Sequence, residues 1–167
     1  MKMIAPRRLH LLLIISAVII FLDRITKTWV SLHIPLGGDP ATRQHALRIT
    51  HWTNEGAAFS LFAGSASPNA VRWGLICFSS LMALIVLFLM VRLGDRLTMT
   101  TVALALIFAG ALGNIHDRLA YGSVVDFIEV HIFGYHWPDF NIADSSVVTG
   151  ACMLLLGTLL PKKSPGQ

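Results

Sequence analysis

Four long apolar runs, separated by polar stretches of unequal length, organise this chain. The first has an apolar core from Leu11 to Leu22 and follows Arg7 and Arg8. A basic start with a short apolar centre also fits a secretory signal peptide, yet no small-x-small cleavage pattern follows. The sequence continues as DRITKTWVSL, where Trp29 and Val30 keep the helical pattern, so one helix is predicted over residues 9–32. The second run, residues 71–91, is long and almost uncharged. The third and fourth, 97–118 and 141–160, reach the roughly 20 residues that cross about 30 Å of hydrocarbon only when their polar ends are counted. The pattern predicts an all-α integral membrane protein of four spans in a single domain, residues 1–167. Its outer loops would be 33–70 and 119–140, and its tail, 161–167, would be disordered.

Composition supports a lipid solvent. Apolar residues make up 54% of the chain and charged residues 13%, against about 25% charged in soluble domains. The net charge of +4 does not point to nucleic acid, because the basic residues sit at the ends of apolar runs and form no patch. Cys77 and Cys152 lie within apolar segments and read as small hydrophobes. Lys2, Arg7, Arg8, Arg92, Arg96, Lys162 and Lys163 fall on one side of the spans. The long loops hold only Arg43 and Arg48, which predicts cytoplasmic termini and external loops. In the first loop, LRITHWTNEGAAFSLF alternates β-formers with polar residues and turns at Gly56, as a small strand or hairpin would. In the second, VVDFIEVHIF is apolar enough to lie among lipid headgroups.

Polar groups are distributed asymmetrically. The cytoplasmic helix ends carry basic anchors only, whereas the outer ends carry Asp23, Arg24 and Lys27, then Asn114, Asp117 and Arg118, then Asn141 and Asp144. A charge at the centre of a span costs about 2.5–3.5 kcal/mol, so such residues are usually functional. Each has a plain alternative. Asp23 and Lys27, spaced i,i+4, suit a structural ion pair. Ala109, Gly110 and Gly113 suit close helix approach. Arg118 is either an anchor that snorkels outward or a donor to a substrate carbonyl or phosphate. Asn141 and Asp144 resemble a capping box, and Asp126 is either a solvated loop charge or half of a carboxylate pair with Asp144. Serine-hydrolase, H-E-x-x-H and phosphate-loop patterns are absent. His131 and His136 fall in a loop, where no metal site is expected. A transporter would place polar residues on both sides of the midplane, and the inner helix halves are apolar.

Together the blocks DRITK (23–27), NEGAAFS (54–60), GNIHDR (113–118), VVDFI (124–128) and FNIAD (140–144) resemble bacterial lipoprotein signal peptidase, signal peptidase II, over essentially the full length. One departure is AGALG before the asparagine block, where the family more often carries GG. The resemblance implies an aspartic endopeptidase of the bacterial inner membrane, with its site at the periplasmic face. It would cut diacylglyceryl-modified prolipoproteins immediately before the lipidated cysteine, without cofactor or metal. By motif, Asp126 and Asp144 are the catalytic pair. Asp23, Lys27, Asn54, Gly56, Asn114, Asp117, Arg118, Asn141 and Ala143 would bind substrate or brace the site. The resemblance further implies a β-rich platform from the first outer loop and a mobile cover holding VVDFI. It implies a monomer in contact with phospholipid, and inhibition by the cyclic lipopeptide globomycin.

Overall fold

The computed structural model describes residues 6–38, 46–56 and 67–159. The expected tail (161–167), the second half of NEGAAFS, and the charges Lys2, Arg43, Lys162 and Lys163 lie outside them.

Four helices are each long and apolar enough to cross a membrane: α1 (Pro6–His33), α2 (Pro68–Leu93), α3 (Met99–Ala120) and α4 (Ile142–Leu159). Local chemistry sets their starts. Pro68 begins α2, where its missing N–H costs nothing. Thr98 and Thr101 close a capping box at the start of α3. Large apolar side chains such as Phe21, Phe78 and Leu84 face outward, as a lipid solvent allows.

The third helix is central and packs against the other three, most extensively against α4. Lipid gives little drive for apolar association, so small residues and interhelical hydrogen bonds hold the bundle. A Cβ on Gly110 would collide with the Ala143 carbonyl oxygen, and one on Gly150 would stand 2.6 Å from that of Ala103. Ser16 Oγ donates to the Ala105 carbonyl at 3.0 Å, and Ser146 Oγ to that of Leu106 at 3.1 Å. An apolar cluster of Leu12, Val86, Met90, Leu104 and Ala105 fills one end of the bundle. Polar residues and a sheet occupy the other.

That sheet is antiparallel with order β1-β2-β3: β1 (Leu47–Asn54), β2 (Val124–Ile132) and β3 (Tyr135–Phe140). The strand expected in the first outer loop is present as β1. In the second loop, VVDFI is part of the central strand, paired with β1 from Leu47↔Val130 to Asn54↔Val124. The two-residue repeat of extended backbone puts Asp126, Ile128 and Val130 on one face and Phe127, Glu129 and His131 on the other. A two-residue turn at Phe133 and Gly134, both with positive φ (48° and 82°), returns the chain into β3. Pro138 is tolerated because β3 is an edge strand.

Candidate active site

Asn141 is the hinge of the site, because it follows the last residue of β3 and precedes the first of α4. It is fully buried. Its side-chain amide donates to Asp126 Oδ1 at 2.7 Å and to the Val125 carbonyl at 3.3 Å. Its own N–H donates to Asp144 Oδ2 at 3.3 Å, and its side-chain oxygen accepts from the Asp144 N–H at 2.9 Å. Two further amides complete the setting. Asn54, at the end of β1, donates to Asp126 Oδ2 at 3.0 Å, and Asn114 of α3 donates to Asp144 Oδ1 at 2.8 Å. Two strands, β1 and β2, and two helices, α3 and α4, thus bring both carboxylates onto Asn141.

Asp126 is only 4% exposed. Burial, and next the nearby charge of Asp144, push its carboxyl up to about 7. Hydrogen bonds from Asn54 and Asn141 and the charge of Lys27 oppose that rise without cancelling it.

Beneath the pair lies a second, fully buried layer of charge. Lys27 Nζ stands 2.8 Å from both Asp23 Oδ2 and Asp117 Oδ2 and donates to Asn114 Oδ1 at 3.1 Å. Asp117 also accepts from Arg24 at 2.5 Å. Asp23 Oδ1 takes the Ala143 N–H at 2.9 Å, so α1 caps the first turn of α4. Asn114 therefore links the layers, with its oxygen toward Lys27 and its amide toward Asp144. Asp23, Lys27, Asp117 and Ala143 form this layer, and the side-chain amides that hydrogen-bond Asp126 come from Asn54 and Asn141 instead.

Arg118 does not snorkel. It is buried, and its guanidinium donates to the Gly56 carbonyl at 2.8 Å and to the Asn114 carbonyl at 3.4 Å. Gly56 in turn donates to Asn54 Oδ1 at 2.9 Å, which ties the strand-end turn to α3 beside Asp126. The sequence offered no reason to single out Arg72, yet it donates to the Arg118 carbonyl at 2.7 Å and the Leu119 carbonyl at 3.2 Å. It thereby caps the C-terminus of α3 from α2. A lone Arg in the first turn of a long apolar helix was the one available signal. His131 and His136, expected in a loop, face each other across β2 and β3.

The fold and this geometry define a class: a multi-pass membrane protein that holds a pair of amide-bound carboxylates, one buried and one half-buried, at one end of its helical bundle. The match to known proteins is specific. Residues 15–160 match the family described as Signal peptidase (SPase) II. A lipoprotein signal peptidase of Desulforapulum autotrophicum is 38% identical over 156 residues, covering 93% of this chain and 96% of the relative. One from Paraburkholderia phytofirmans is 38% identical over 146 residues, covering 87% and 82%. Among solved structures, a bacterial membrane enzyme determined by the in meso method at 2.3 Å resolution superimposes with a TM-score of 0.81 and 29% identity, over 95% of each chain. A second, at 1.9 Å resolution, gives 0.77 and 30%, over 92% of this chain and 95% of that one. The chain belongs to the signal peptidase II family and is, accordingly, a protease of lipoprotein processing with membrane-spanning helices.

Proposed function

We propose that this protein is an aspartic endopeptidase that removes signal peptides from diacylglyceryl-modified prolipoproteins, cutting immediately before the lipidated cysteine, with Asp126 and Asp144 as the catalytic pair. The observation that carries the reading is Asn141, which hydrogen-bonds both carboxylates at once, Asp126 buried and Asp144 half-buried, at the sheet end of the bundle. Asp126, with its carboxyl near 7, holds the proton that the pair shares, and Asp144 starts as the base. Asp144 takes a proton from water as the water oxygen attacks the scissile carbonyl carbon, while Asp126 gives its proton to the carbonyl oxygen. When the tetrahedral intermediate collapses, that oxygen returns its proton to Asp126. Asp144 passes its own to the leaving nitrogen, and the C–N bond breaks. Two carboxylates so close cannot both ionise cheaply, which keeps one proton in place.

Burial at the membrane boundary suits the substrate, whose acyl chains stay in lipid while its peptide crosses the sheet end. Arg118 Nε is buried and has no hydrogen-bond partner among the described residues, which leaves a donor for a substrate carbonyl. Lys and Arg gathered at the opposite helix ends support a sheet end on the periplasmic side of the inner membrane.

The test is cleavage of a lipidated prolipoprotein by detergent-purified protein, read as a gel shift. Asp126→Asn and Asp144→Asn should each stay folded and lose about 100-fold or more of the turnover. Substantial cleavage by either variant overturns the pair.

A further inference from the structure

A second cluster of chemistry-bearing side chains lies on the opposite face of β2 from Asp126. Glu129 and His131, two residues apart on β2, share that face, and His131 is the cross-strand partner of His136 on β3. Glu129 Oε1 is 2.5 Å from His131 Nε2 and 3.3 Å from His136 Nε2, so both imidazoles converge on a single carboxylate oxygen. Their rings stack with centroids 4.9 Å apart. Asp139 joins them, its Oδ2 at 3.8 Å from His136 Nε2. An offset of three residues would ordinarily send Asp139 to the other face. The register shift between Ile128 and Val130, where β3 advances three residues against two on β2, returns it to this one.

We propose that Glu129, His131 and His136 form a binding site for one divalent transition-metal ion, zinc in the first instance, with Asp139 beside it. The donor atoms of the three lie within 4.8 Å of one another. Two imidazoles and a carboxylate are a donor set that zinc accepts with water in the fourth position, and bonds of about 2.0–2.2 Å place tetrahedral donors roughly 3.3–3.5 Å apart. Glu129 Oε1 stands 2.5 and 3.3 Å from the two imidazole nitrogens, so small side-chain rotations would bring the donors to that spacing. One outer contact is already in place. Thr50 Oγ1 donates to Asp139 Oδ1 at 3.1 Å, and Arg48 donates to Glu129 Oε1 at 3.4 Å, an interaction the ion would displace. The ion would pin β2 to β3, the strands that carry Asp126 and lead into Asn141. The site stands independently of the peptidase reading.

The test is zinc titration of tag-free, chelator-treated protein in detergent by calorimetry, with cobalt substitution read by visible absorbance. One ion should bind with micromolar affinity or tighter. Glu129→Gln and His136→Gln should each weaken it by more than about 10-fold, while His33→Asn leaves it unchanged. His136 is half-exposed, so its variant should fold even where that of Glu129 does not. Absence of stoichiometric binding to the parent protein, or binding indifferent to His136→Gln, overturns the site.

Discussion

Asn141 and Asp144 close a reciprocal capping box at the start of α4: the Asn141 side-chain oxygen accepts from the Asp144 N–H at 2.9 Å, and Asp144 Oδ2 accepts from the Asn141 N–H at 3.3 Å. A structural cap and a catalytic carboxylate had stood as alternatives for Asp144. The geometry makes them compatible, because the cap spends one carboxylate oxygen and leaves the other to Asn114. Asn141 then spends its amide on Asp126. One residue thus fixes the helix start and the position of both carboxylates.

These two jobs of Asn141 are separable. Asn141→Ser keeps a cap acceptor but removes the amide donated to Asp126, whereas Asn141→Ala removes both. The alanine variant should lose about 0.5–2 kcal/mol of stability along with most activity. The serine variant should regain thermal stability and stay poorly active. Thermal unfolding and cleavage assays on the two proteins check this; a fully active serine variant would show that the bond to Asp126 is dispensable.

With its carboxyl pushed up to about 7, Asp126 should hold its proton through mildly acidic pH and lose it above neutrality. Turnover should fall about tenfold per pH unit on the alkaline limb, once the shared proton is gone. Asn54 hydrogen-bonds the charged form and so holds the value down. Asn54→Leu should therefore move the limb to higher pH. The same group also sets a stability trend. A folded value above the ordinary carboxylate range contributes stability that is complete below that range and is lost as pH rises toward 7. A pH-rate profile of the two proteins decides, and a limb that Asn54→Leu shifts downward would contradict the assignment.

The sequence made the four spans legible because each is a long apolar run, and it showed polar residues gathered at one end because Lys and Arg mark the other. It also made β1 legible, through alternation and the turn at Gly56. Strand β2 escaped because VVDFIEVHI is too apolar to show polar alternation, and pairing between Trp52 and Asp126 has no local signature. The proposed catalytic pair was likewise invisible to spacing: Asp117 is as polar and as well placed in sequence as Asp126. Only three dimensions send Asp117 to Lys27 and Arg24 and Asp126 to Asn54 and Asn141. Arg72 shows the same limit, since its partners are main-chain carbonyls of another helix.

Lys27 is the one cation between two buried carboxylates, Asp23 and Asp117, with all three side chains within 3% of full burial. Lys27→Met leaves Asp23 without a cation and Asp117 with Arg24 alone, and should cost about 3–5 kcal/mol. Combining it with Asp23→Asn and Asp117→Asn should restore part of that stability without restoring activity, because Asn114 would still lack the ammonium that orients it toward Asp144. Denaturation in detergent measures the first effect and cleavage the second. Additive losses in the triple variant would mean that the three charges do not act as one network.

Gly113 stands where α1, α3 and α4 meet. A Cβ there would lie 2.9 Å from Asp23 Oδ2 and 3.2 Å from the Ala143 Cβ. The carboxylate is the tip of a side chain, but it cannot swing away freely. One of its oxygens holds Lys27 and the other holds the Ala143 N–H. Gly113→Ala should therefore cost about 1–3 kcal/mol by overpacking and lower turnover by shifting the first turn of α4, which carries Asp144. At Gly110 the obstruction includes the Ala143 carbonyl itself, together with Ser146 Oγ at 2.6 Å, and main chain cannot yield by changing rotamer. Gly110→Ala should therefore be the more damaging of the two. Asp23→Ala makes room for the methyl group while losing the Ala143 cap and one partner of Lys27, so Gly113→Ala should cost less in the Asp23→Ala background than in the parent. Unfolding midpoints of these variants and the parent give the order directly; equal losses at Gly110 and Gly113 would mean that helix approach at α4, and not the Asp23 contact, sets the requirement for glycine.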